Sequence, residues 1–60
     1  MDKVEKGQIV KGIAAGVYVV LYPRTVEKVP GAQVKPVDPT NHARRLKGQF
    51  WLSLGSLEPV

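Results

Sequence analysis

The residues that could carry chemistry in this sequence are few. His42 is the only histidine. To act as a general base it needs a nucleophile within hydrogen-bond reach and a carboxylate to orient it. Ser53, Ser56 and Asp38 supply those residue types, but nothing in their spacing brings them together. The carboxylates Asp2, Glu5, Glu27, Asp38 and Glu58 are dispersed. They form no pair of the glycosidase kind and no oxygen-rich cluster for a hard cation. With no cysteine and one histidine, the ligand sets of zinc sites are excluded. Lys6-Gly7 and Lys11-Gly12 are not phosphate loops, which need glycines ahead of their lysine. The sequence predicts no catalytic residue, no metal, no cofactor and a non-enzymatic protein.

The densest signal is basic. His42-Ala43-Arg44-Arg45-Leu46-Lys47 holds three cations within four positions, with no acid between Asp38 and Glu58. Arginine grips phosphate with a planar fork, and lysine adds a point charge. Trp51 follows shortly after and offers a stacking surface. Together with Arg24 these residues define an expected nucleic-acid surface: Arg24, Arg44, Arg45, Lys47 and Trp51. The bland alternative is a solvated loop that keeps the protein soluble. Tyr18, Tyr22 and Trp51 are the residues expected at an interface, because outward tyrosine and tryptophan are favoured anchors. Against this, Trp51 could simply cover the open end of a small core and pack on Tyr18 or Tyr22.

Positioning such residues falls to a short chain. The 60 residues carry nine Lys+Arg and five Asp+Glu, a formal charge of +4 with His42 neutral. Each half of the chain contributes +2, so neither is a dedicated basic arm. The length fits one domain, residues 1–60. A chain of this size buries only about 60% of its unfolded surface. Without disulfides or metal, its core, alone or with a second subunit, must carry the stability. Hydrophobic residues at 43% and charged residues at 23% are ordinary for a folded chain and argue against disorder. Starting at Met1, the sequence reads as a small complete gene product. The lack of cysteine permits a cytoplasmic location. Lys3, Lys6 and Lys11 ahead of the apolar run 12–22 have the order of a secretory signal. The run is rich in β-branched valine, ends in Tyr22-Pro23-Arg24 and lacks a cleavage site. It is also half the length of a membrane span, which needs about 20 residues.

The periodicity is that of strands. Ile9-Val10 begins a first one between glycines. Val17–Tyr22 has the length and composition of a strand inside a sheet. Alternation puts Val17, Val19 and Leu21 on one face and Tyr18, Val20 and Tyr22 on the other. Both sets are apolar, so both faces should be partly covered. Gly12–Gly16 reads as a turn or bulge. Pro23 should end the ladder. Residues 23–31 read as a polar loop closing on a Pro30-Gly31 type II turn. Ala32–Val37 is a third strand, placed at an edge by Pro36. Asp38-Pro39-Thr40-Asn41 is a turn that opens a short helical stretch through Leu46. Lys47–Leu52 returns to strand, with Phe50 and Leu52 inward and Trp51 outward. Ser53–Ser56 suits one turn of 3-10 helix, and Leu57–Val60 a closing strand. The expected core is Ile9, Val17, Val19, Leu21, Val34, Phe50, Leu52 and Leu57.

This order of elements resembles an SH3-like barrel. The ending Gly48-Gln49-Phe50-Trp51-Leu52-Ser53-Leu54-Gly55-Ser56-Leu57-Glu58-Pro59-Val60 is similar to the closing part of such barrels, where a 3-10 turn separates the last two strands. The opening Lys6-Gly7-Gln8-Ile9-Val10-Lys11-Gly12 faintly resembles that of KOW-type barrels. The resemblance implies an all-β small barrel of four to five antiparallel strands. The aromatic pairs and acidic loop of proline-peptide-binding SH3 domains are missing, so that activity is not implied. The fold alone does not choose a function. The expected function is nucleic-acid binding through a cationic face, in a regulatory or architectural role. The alternative is docking on a partner protein, as an accessory subunit or as an inhibitor of the kind phages and mobile elements encode. No membrane partner is expected, and self-association into a homo-oligomer is one version of the second reading.

Overall fold

The computed structural model describes residues 1–60 as an all-β antiparallel sheet with one 3-10 turn and no α-helix. The strands are β1 (Ile9–Gly12), β2 (Val17–Val26), β3 (Val29–Asp38), β4 (Asn41–Arg45), β5 (Phe50–Ser53) and β6 (Leu57–Pro59). They pair in the order β4-β3-β2-β1-β6, and β5 lies beside β3. The N-terminal half of β3 faces β5, from Gly31↔Ser53 to Val34↔Phe50. Its C-terminal end faces β4, through Val37↔Arg45 and Asp38↔Asn41. The 3-10 turn Leu54–Ser56 carries the chain from β5 to β6, which lies against β1. The sheet curls as a small barrel would, but β5 and β6 do not meet as paired strands, so it is not closed.

Residues 23–31 are the largest departure from the sequence reading. They are not a loop. β2 runs on through Pro23 to Val26, and β3 starts at Val29. The reversal is a two-residue hairpin at Glu27-Lys28, whose φ angles of 50° and 67° are those of a primed turn. Pro30 and Gly31 are strand residues, paired with Thr25 and Arg24. Pro23 is tolerated because β1 accompanies β2 only as far as Val19. A proline can sit where one side of the strand has no partner to receive a donor. Pro36 likewise does not mark an edge, since β3 has strands on both sides. The helical stretch expected after Asn41 is strand β4, and β5 begins at Phe50 rather than Lys47. The 3-10 turn and the closing strand fall where expected, the latter ending at Pro59.

The main core is Val4, Val10, Val20, Ala32, Val34 and Leu57, with Met1, Tyr18, Leu52 and Leu54 packed against it. Val19 and Val37 are buried outside this cluster. Adjacent Val19 and Val20 are both buried, so both faces of β2 are covered at that point, as the apolar run requires. Ile9, Val17 and Leu21 are only half-buried. Their side of the sheet is the opposite of the one that lines the main core. Phe50 has the inward parity expected but is 49% exposed, because it stands at the open margin of the sheet beside Tyr18, ring centroids 6.4 Å apart and edge-on.

Candidate functional site

Leu21 decides which side chains share the outer face. Val20 pairs with Val34 and Tyr22 with Gln33, so Leu21 is an extra residue, a β-bulge. The bulge reverses the alternation of β2. Tyr18 and Val20 look toward the main core, whereas Tyr22 and Arg24 stand on the other side with Gln33. The grouping of Tyr18 with Tyr22 and Trp51 therefore separates. Tyr18 pairs its ring with Phe50 and places its hydroxyl 3.5 Å from the Ala15 carbonyl. Tyr22, Gln33 and Trp51 form one row across β2, β3 and β5.

Trp51 is anchored in this row. Its Nε1 donates to the Arg24 carbonyl oxygen at 2.9 Å, reaching over β3 to β2. Gly31 makes the crossing possible: a Cβ there would stand 2.6 Å from Cε2 and Cζ2 of the indole and 2.6 Å from the Leu52 carbonyl oxygen. The Arg24 guanidinium donates to Gln33 Oε1 at 3.1 Å, and Gln33 Nε2 to Gln49 Oε1 at 3.4 Å. Lys35 follows Gln33 on the same face of β3 and donates to the Gly48 carbonyl at 3.2 Å. The result is a polar, cationic strip with two aromatic side chains in it: the indole fixed by the sheet, and Tyr22, 48% exposed, on the neighbouring strand.

The expected cations distribute unevenly around this strip. Arg24 belongs to it. Arg44 is drawn to Asp38, 3.7 Å away, and is mostly solvated. Arg45 pairs across from Val37, further along β3. Lys47 is exposed in the connection to β5. The Arg44-Arg45-Lys47 run is thus a flank of the strip and not its centre. Gln49, which the sequence sets beside Trp51, joins the strip through Gln33, whereas Gln33 and Lys35 are not among the expected site residues; the polar alternation Gln33-Val34-Lys35 is the signal that marks them.

The candidate catalytic types have other partners. Ser53 and Ser56 share a hydrogen bond at 2.9 Å. Asp38 accepts from the Thr40 amide at 2.8 Å and its hydroxyl at 2.7 Å. The Thr40 hydroxyl, then the Thr40 amide, with a smaller contribution from Arg44, hold the Asp38 carboxyl below its ordinary range. His42 is half-buried on β4 and bonds to none of these groups. No group of three or more acidic or imidazole side chains is arranged to hold a metal ion. No helix is long and apolar enough to cross a membrane. Compared with known proteins, the chain matches no family model, no curated protein and no solved structure.

Proposed function

We propose that the chain is a non-enzymatic binding module, an SH3-like barrel left open at β5, whose outer face takes single-stranded nucleic acid. The SH3-like reading is supported by the strand order and by the 3-10 turn between β5 and β6. The observation that carries the functional reading is the row Tyr22–Gln33–Trp51 with Arg24 and Lys35 beside it. Aromatic side chains on a sheet receive unstacked bases, and neighbouring cations meet the phosphates between them. Gln33 and Gln49 add amide donors and acceptors that could meet base edges. A single strand suits this strip better than a duplex, because a duplex hides its base faces. The +4 charge draws polyanions from a distance.

The test is binding of short labelled DNA and RNA, single-stranded and duplex, at rising salt. The proposal expects a preference for single strands. It also expects the logarithm of affinity to fall with log salt, with a slope of about −0.7 for each phosphate neutralised. Binding that ignores salt, or no binding at low salt, would reject it.

A further inference from the structure

Several strand edges have no neighbour. β2 is open beyond Val20, whose amide and carbonyl still bond Gln8 and Gly7, β4 and β5 have only β3 beside them, and β6 has only β1. Natural sheets protect open edges with charges or proline. The end of β2 carries Pro23 and Arg24, β4 carries Arg44 and Arg45, and β6 carries Glu58 and Pro59. β5, Phe50-Trp51-Leu52-Ser53, has neither device. On its inner side lies an apolar groove lined by Ile13, Ala14, Ala15, Tyr18 and Leu52. Ile13 is 63% exposed there.

We infer that β5 is a homodimer edge: it pairs antiparallel with β5 of a second copy, joining the two sheets into one. Three observations favour a second copy over another occupant. Every residue of the edge and the groove is uncharged, so two chains of +4 can meet here without opposing cations. A partner recruited by charge would choose the cationic outer face instead. The edge is also self-complementary. Opposite residues in an antiparallel pair lie on the same face. Trp51 opposite Trp51 of the second copy satisfies this, sets Phe50 against Leu52 and Gln49 against Ser53, and leaves Lys47 facing Gly55. Finally, only nine of 60 residues are buried and there is no disulfide, a case in which association commonly completes the core. The pairing does not rest on nucleic-acid binding. It would set the two outer faces edge to edge.

The register gives the test, in a chain that has no cysteine of its own. Gln49→Cys and Ser53→Cys are prepared separately. Opposite positions place Cα atoms about 5 Å apart, within disulfide range. The mixture should cross-link under mild oxidation and neither variant alone should. Light scattering across concentrations should show a dimer for the native chain. Phe50→Lys should weaken it about tenfold or more, while Val29→Lys, at an exposed apolar position that belongs neither to β5 nor to the groove, should not. Circular dichroism checks that both variants fold; if Phe50→Lys does not, the cysteine pair decides. A native chain that stays monomeric, including one that binds an extended peptide as a monomer, overturns the inference. So does cross-linking by one cysteine variant alone, or a dimer that Val29→Lys disrupts as strongly.

Discussion

Trp51 Nε1 donates to the Arg24 carbonyl oxygen at 2.9 Å, and the indole lies across bare Gly31 to do so. That bond ties β5 to β2 over the intervening β3. It fixes the largest side chain of the protein on the outer face, beside the Arg24 guanidinium and its Gln33 partner.

Gly31→Ala should therefore be costly. The new Cβ meets the Leu52 carbonyl and the indole at 2.6 Å, and backbone cannot swing aside. Overpacking of this kind costs about 1–3 kcal/mol. In a chain this small each kcal/mol lowers Tm by ~4–8 °C. Gly55→Ala, with nothing within 4 Å of its Cβ, should change stability by less than about 0.5 kcal/mol. Thermal melts of both variants check the contrast.

The hairpin at Glu27-Lys28 holds two non-glycine residues at positive φ. The left-handed region costs a side-chain-bearing residue roughly 1–2 kcal/mol. Asn-Gly is the preferred pair for such a turn. Glu27→Asn with Lys28→Gly should raise stability by about 0.5–1 kcal/mol, since glycine's greater unfolded freedom offsets part of the gain. A urea midpoint that falls would contradict the turn.

Asp38 should titrate below an ordinary aspartate, chiefly because the Thr40 hydroxyl and amide donate to it. Thr40→Ala removes the largest cause and should move the Asp38 pKa back up toward the usual value, as read by NMR titration. The sign follows from linkage. A carboxyl whose folded pKa is depressed contributes stability above its unfolded pKa. That contribution is lost as pH falls through the lower folded value. Thr40→Ala should narrow the pH difference between the two pKa values, so the acid-side loss of stability attributable to Asp38 shrinks.

Much of the strand content was legible. Val17–Tyr22 is β-branched and aromatic, and Leu54–Ser56 sits between two short apolar runs. The faces were harder to read. Leu21 is an apolar residue inside an apolar run, so nothing marks it as the bulge that turns Tyr22 away from Tyr18. Pro23, Pro30 and Gly31 read as breakers because proline lacks a donor and glycine a side chain. Here the proline stands where one side of its strand is unpaired, and the glycine lies beneath an indole supplied by a residue 20 positions later. The cations were visible as a run, yet their grouping depends on pairing between distant strands: Arg24 joins Trp51 through β3, while Arg44 turns to Asp38.

Trp51 is the only tryptophan, so its emission reports on the outer face alone. Titration of the protein with a single-stranded oligonucleotide at low and moderate salt tests the central claim directly. Stacking on the strip predicts quenched emission whose midpoint moves to higher oligonucleotide concentration as salt rises. It also predicts that Arg24→Ala weakens binding more than Arg44→Ala. Unchanged Trp51 emission at low salt, whether or not the oligonucleotide binds elsewhere, would contradict the account.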